Sequence, residues 1–272
     1  MDWARAKNIL LILLLALNVV LAASILNRML GGGADRELYT GVTRILDGRG
    51  VQMRCDFPRQ IKNSELLIYG DGVRFVDNCA RALNIGGATA SGSVEMLGRE
   101  SLRYTNESPD VFLAASTPPA ADTEARRFLA GAGIDIDGFK TDYITAYTDG
   151  GYHIQYIYDY KGNLVFDSRV EVTLEGDGGV SEITISYREI KSASLDRVMD
   201  VIPAYQVILK NYIDGGVVIE SISIGFMGQN TARENPFIES EEGAVWRVRL
   251  DDGSVRYFEA TYGDEIFLYA PV

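Results

Sequence analysis

Few residues in this 272-residue sequence could do covalent chemistry, and their spacing decides how much weight each carries. His153 is the only histidine. A Ser–His–Asp or Cys–His site would have to be built on it, and no nucleophile elbow accompanies it. Cys55 and Cys79 are the only cysteines, too few and too far apart for a zinc motif. Asp135-Ile136-Asp137-Gly138 followed by Asp142 has the beginnings of a calcium loop, but the glycine comes too early and the closing glutamate is missing, so a turn is expected. No phosphate-cradling glycine motif is present. The sequence therefore points to no catalytic residues, no cofactor site and no metal site, and to a protein that is not an enzyme.

The two cysteines have a structural reading. Cys55 falls in an expected strand and Cys79 on an expected helix, so they are expected either to pair or to be two buried thiols. A bridge would close a loop worth roughly 3 kcal/mol by chain entropy.

Asn18 is the other singular polar residue. It sits inside residues 9–26, where no side chain is charged and 13 of 18 are Leu, Ile or Val. As a helix the run is about 27 Å long at ~1.5 Å per residue, against a hydrocarbon core of ~30 Å. Arg5 and Lys7 precede it, and Arg28 is followed by Asp35, Arg36 and Glu37. The positive-inside rule then expects a single-pass anchor in the cell membrane, with a cytoplasmic N-terminus and an extracytoplasmic C-terminal ectodomain. A cleavable signal peptide is the rival, but its apolar core is usually only about 7–15 residues. An unpaired amide in lipid is costly, so Asn18 is a candidate contact with another membrane helix, and Ala16, Ala22 and Ala23 allow close approach.

These residues need elements to position them. Residues 1–30 are assigned to the cytoplasmic N-terminus and membrane helix, 31–34 to a flexible glycine joint, 35–120 to a first domain and 121–272 to a second. A helix over 35–46 would turn Leu38, Val42, Ile45 and Leu46 inward. Strands are expected at 51–57 and 65–69, a helix at 73–83, and two or three strands between 88 and 115. Ser116-Thr117-Pro118-Pro119 marks the boundary, and a helix over 122–132 follows it. Alternation in 152–160, 164–174 and 180–187 gives an antiparallel meander. Apolar spacing then suggests a helix of about twenty residues from Ser194, kinked or split at Pro203 and stopped by Gly215-Gly216. Strands at 217–227, 244–250 and 255–260 close the chain, the last two joined by Asp251-Asp252-Gly253-Ser254, and 230–243 reads as an acidic loop. Trp246, Ile202 and Leu209 are expected in the core. The fold class is α+β: two extracytoplasmic domains of antiparallel sheet with packed helices, preceded by one transmembrane helix.

The whole chain carries −12, which becomes −14 once Arg5, Lys7, Arg28 and Asp2 are set aside. Such a surface repels nucleic acid and anionic wall polymers, so proteins are the expected partners, with membrane lipid meeting residues 9–26.

Met1-Asp2-Trp3, the basic pair and the single apolar span resemble the YycI family. So does the run Ile202-Pro203-Ala204, Tyr212-Ile213, Ile222-Ser223-Ile224-Gly225-Phe226, Ala244-Val245-Trp246-Arg247-Val248, Gly253, Tyr257 and Ala260-Thr261. The likeness covers the two ends, and its motifs are packing residues. The resemblance implies a two-domain α+β ectodomain without enzymatic activity, in a membrane complex with a sister YycH-like regulator and the WalK sensor histidine kinase. A binding module that senses a wall fragment or peptide between its domains is the alternative from another class.

The anchor has a direct check. The chain should keep Met1 and fractionate with membranes through salt and carbonate washes, whereas a mature start at Ala23 or Ser24 would end the anchor reading.

Overall fold

The protein is described by a computed structural model covering residues 13–14, 17–18, 33–58, 63–85, 92–109, 117–213, 215–228 and 240–266. In chain order its elements are α1 (Gly33–Gly48), β1 (Val51–Met53), β2 (Asn63–Tyr69), α2 (Val73–Ile85), β3 (Gly92–Gly98) and β4 (Ser101–Asn106). Then come α3 (Pro118–Gly131), β5 (Phe139–Ala146), β6 (Tyr152–Tyr160), β7 (Asn163–Leu174), β8 (Val180–Ser186) and β9 (Ile190–Asp200). The chain continues with α4 (Ala204–Asn211), β10 (Val217–Phe226), β11 (Ser240–Glu242), β12 (Ala244–Leu250), β13 (Val255–Glu259) and β14 (Glu265–Ile266). The fold is mixed α+β.

The alternating strands form the expected meander, β5 against β6, β6 against β7 and β7 against β8. One large sheet runs β14-β13-β12-β10-β7-β8-β4-β3, with β6 and β5 added on β7 and β1 on β10. A smaller sheet has the order β11-β2-β9. β7 joins the two ends of the large sheet. Its first residues, Leu164 and Val165, pair in parallel with Gly225 and Phe226 of β10, whereas Arg169 to Leu174 pair with β8. Between them the β6 register slips, from Ile157 opposite Arg169 to Tyr158 opposite Val165.

Among the described residues, α1 to α4 lie on one side of this sheet. α2 and α3 cover a core that includes Ile154, Tyr156, Val172 and Ile185, while α1 and α4 cover one that includes Val51, Ile219, Trp246 and Phe258. Neither core respects the sequence boundary at 120/121: β4 pairs with β8, and β1 pairs with β10. Strand pairing brings together segments that no local composition shift could relate.

Several local expectations change. Pro118 and Pro119 open α3 rather than separating domains. The Thr117 hydroxyl accepts the Ala120 N–H at 3.4 Å, and the first-turn N–H groups that proline lacks have no helical partner anyway. The long helix expected from Ser194 is instead strand β9 and then the short α4. β2 supplies β9 with an antiparallel partner from Asn63–Asp200 to Tyr69–Ile190. Pro203, extended at φ −60 and ψ 145, is where the helix begins. The acidic stretch contains β11, paired with Leu67 to Tyr69. β1 ends at Met53 rather than Phe57, and α1 already includes Gly33 and Ala34 of the expected joint. On α1 only Val42 and Leu46 of the expected face are buried, while Leu38 and Ile45 are 44% and 50% exposed.

Of residues 9–26, only Leu13, Leu14, Leu17 and Asn18 are described, all helical; the rest of the expected span lies outside the described residues. Among the described residues no helix is long and apolar enough to cross a membrane.

Trp246 is fully buried, and Ile202 and Leu209 pack partly buried against the same core. The indole Nε1 donates to the Ile202 carbonyl at 2.9 Å, fastening β12 to the segment that leads into α4. Trp246→Phe removes this bond, orphans a carbonyl and leaves a small void. A loss of about 1–3 kcal/mol is expected in urea unfolding.

Candidate functional site: a curled sheet face

The helix-free side of the large sheet carries the best-built polar cluster. β6 alternates Tyr152, Ile154 and Tyr156 into the core, which turns His153, Gln155 and Ile157 the other way. On β12 the same rule buries Trp246 and Val248 and turns Val245, Arg247 and Arg249 to this side. Asp142 sits in a bulge of β5, between the Thr141–Tyr156 and Tyr143–Gln155 pairs.

Asp142 and Arg247 meet. The two guanidinium Nη groups donate to Asp142 Oδ2 and Oδ1 at 2.6 and 2.7 Å, with side chains only 10% and 9% exposed. Gln155 Nε2 donates to Oδ2 at 3.3 Å, Arg247 Nε donates to Ser223 Oγ at 3.1 Å, and the guanidinium lies 4.6 Å over the Phe166 ring. β5 and β12 are four strand steps apart through β6, β7 and β10, which is on the order of 19 Å across a flat sheet. Side chains cannot cover that distance. The sheet must curl with its helix-free face inward, and the bidentate pair pins the curl.

Around the pair, Arg249 lies 5.1 Å over the Tyr143 ring and 3.3 Å from Glu220, and Arg169 is 2.9 Å from Glu171. Burial, then Glu171 and Asp142, push the Tyr143 phenol up, and burial does the same at Tyr257. Both therefore keep their protons at neutral pH. The His153 ring is 3.4 Å from Thr173 Oγ1 and 6.1 Å from the Tyr143 ring. The carboxylate already accepts three N–H groups, and among the described residues no activated nucleophile adjoins it. Among the described residues, no cluster of metal-ligating side chains forms.

A second charged knot lies where β7 crosses between half-sheets. Asp167 Oδ2 accepts the Gly228 N–H at 3.0 Å and is 3.6 Å from Arg188 Nη1, while Oδ1 has no hydrogen-bond partner among the described residues. Arg188 also lies 3.7 Å from Glu100 and 4.7 Å over the Tyr69 ring, and its backbone N–H donates to Ser168 Oγ at 3.0 Å. A Cβ on Gly228 would fall 1.5 Å from Arg188 Nη1, so only glycine allows this approach. Burial pushes the Asp167 carboxyl up, and Arg188 opposes it.

The residues singled out in the sequence are dispersed. Cys55 and Cys79 are both free, so the disulfide alternative is corrected. Cys79 is buried on the inner face of α2, with its thiol pushed up to about 12 by burial. Cys55 is half-buried against the other core, its thiol also pushed up by burial. The two belong to different cores, which is why they do not meet. Asp135 Oδ1 accepts the Asp137 N–H at 2.9 Å, the expected turn, while Asp142 is committed to Arg247 instead. Asn18 Nδ2 donates to the Leu14 carbonyl at 2.9 Å, so one amide N–H is satisfied within its own helix. Ala16, Ala22 and Ala23 lie outside the described residues. The Asp142–Arg247 pair joins residues 105 positions apart, and no sequence spacing announces it.

No protein-family model matches the chain, and no curated protein matches it. Several solved structures resemble it distantly, among them the following two. An uncharacterized protein from Eubacterium rectale has 11% identity and a TM-score of 0.48, over 85% of this chain and 99% of that one. The Bacillus megaterium YpeB C-terminal domain has 13% identity and a TM-score of 0.37, over 72% and 96%. Likenesses this distant say nothing about function.

Asp142→Asn should cost on the order of 3 kcal/mol in urea unfolding, because Arg247 is left buried without its counter-charge. The double variant Asp142→Leu/Arg247→Met should recover most of that loss. Asp167 gives a pH test. Its folded pKa is raised above 3.8, so the folded state carries a penalty at neutral pH that is relieved as the pH falls towards 3.8. The unsubstituted protein should gain stability relative to Asp167→Asn over that range and level off below it. A flat difference between the two urea midpoints would mean that the carboxyl titrates normally.

Proposed function

We propose that this chain is a non-enzymatic, membrane-anchored regulatory protein that modulates a two-component sensor histidine kinase controlling cell-wall metabolism. In this reading residues 9–26 hold it in the cell membrane as a single pass, the N-terminus is cytoplasmic, and the folded part works outside. Its partners are the kinase and a sister YycH-like regulator, reached through membrane-helix and ectodomain contacts. The likeness of both chain ends to the YycI family supports this assignment.

The observation that carries it is a pairing of two features. A run apolar enough to span a bilayer precedes a folded part whose best-built charged cluster is committed to its own sheet. Asp142, Arg247, Gln155 and Ser223 bond to one another, so this cluster offers shape and surface rather than a free acid or base. Interaction is the use left to such a face. The net charge of −12 favours protein over nucleic acid as the partner.

Crosslinking of the full chain in intact membranes tests the reading. Recovery of a histidine kinase is expected, and Asn18→Leu should insert normally while weakening capture and altering kinase output. The Leu14 bond occupies one amide N–H of Asn18 and leaves the second N–H and the carbonyl oxygen to meet a partner. Recovery of wall material alone would replace this reading with that of a wall-sensing module.

A further inference from the structure

The outward side of α1 has a pattern that the fold does not use. Leu38, Gly41, Ile45 and Gly48 follow one another at spacings of three, four and three, the repeat of a helix–helix seam. Leu38 and Ile45 are 44% and 50% exposed, and a Cβ added at Gly41 or Gly48 would meet nothing within 4 Å. The buried stripe of the same helix, Val42 and Leu46, points to one side of this row. α1 therefore carries two apolar stripes, and its own core takes only one.

We propose that this second stripe docks a parallel helix from a different single-pass membrane protein, one with large apolar residues opposite Gly41 and Gly48 and small ones opposite Leu38 and Ile45. The inference rests on the anchored regulatory reading above and names the ectodomain surface through which it works. If residues 9–26 span the bilayer, at most about 25 Å of chain separates Leu26 from Gly33. α1 then starts close to the membrane, beside any neighbouring helix that leaves it, and a partner with the same cytoplasmic N-terminus runs parallel to it.

The pattern also selects between partners. In a parallel pair of identical chains the two-fold axis sets Leu38 against Leu38, Gly41 against Gly41 and Ile45 against Ile45. Crowded layers would alternate with empty ones, whereas good packing sets large against small. A partner with the complementary order of sizes, an acid opposite Arg44 and a base opposite Glu37 removes this conflict.

The test uses the full chain in native membranes, with photo-crosslinking benzoylphenylalanine in place of Leu38, Ile45 or, as a control, Asp47 on the opposite side of α1. Positions 38 and 45 should give adducts with another single-pass membrane protein, mapped to the helix that leaves its span, and position 47 should give none. Gly41→Leu should lower the adduct yield at position 38 by about tenfold or more, because the new side chain collides with a large partner residue. The same change replaces a helix glycine that faces open space, so the melting temperature should hold or rise. An adduct with a second copy that strengthens in Gly41→Leu would overturn the proposal, as would equal adducts from position 47, adducts with lipid alone or no adduct. If a kinase is still captured through other positions, the anchored regulatory reading survives that failure. If no membrane protein is captured at all, both fall.

Discussion

A guanidinium held by both oxygens of one carboxylate pins the curl on which the rest of this structure depends. Asp142 and Arg247 are four strands apart and yet within hydrogen-bonding distance, a geometry that a flat sheet forbids. Twist supplies part of the curl, and the bulge at Asp142 re-aims the side chain. Gln155, Ser223 and the Phe166 ring complete the surroundings of the pair. Two charges this far from water would be a liability if either stood alone.

The curl has its origin in β7. That strand serves two partners in succession, β10 at its start and β8 along its end, and the ladder slips where it changes over. Asp167, Ser168, Arg188 and Gly228 gather at that crossing and tie the β7 bulge to the segments leaving β8 and β10. The Asp142–Arg247 pair and this knot hold the two half-sheets at their angle. The cores follow, each beneath its own pair of helices on the outer, convex side.

A protein arranged in this way spends its charged residues on architecture. The phenols near the pair keep their protons, and the buried thiol of Cys79 is pushed far above neutrality. The features left unspent are surfaces: the inner face of the curl and the outer stripe of α1. Recognition is the use proposed for both, and the second follows on the apolar segment proposed to span the membrane.

Local patterns made much of this legible. Alternation in residues 152–160 specified β6, because successive strand residues face opposite sides of a sheet. The Asp251-Asp252-Gly253-Ser254 turn specified the β12–β13 hairpin, where Gly253 has φ +83 and Asp252 Oδ1 accepts the Ser254 N–H. The burial of Trp246 was readable from its neighbours on the same face. What local pattern could not decide was competition between distant segments. Residues 194–200 have helical spacing, but β2 offered them a ladder and Pro203 barred a continuous helix. Leu38 and Ile45 have the spacing of a buried face, but the room beneath α1 was filled by Val42 and Leu46. Cys55 and Cys79 were expected on elements that could pack together, and they went to different cores. Asp142 looked like part of a turn and became half of the pair that bends the sheet. Hydrophobic period and turn chemistry act within a few residues, whereas pairing, burial and charge neutralisation depend on which remote groups arrive, and only the folded chain decides that.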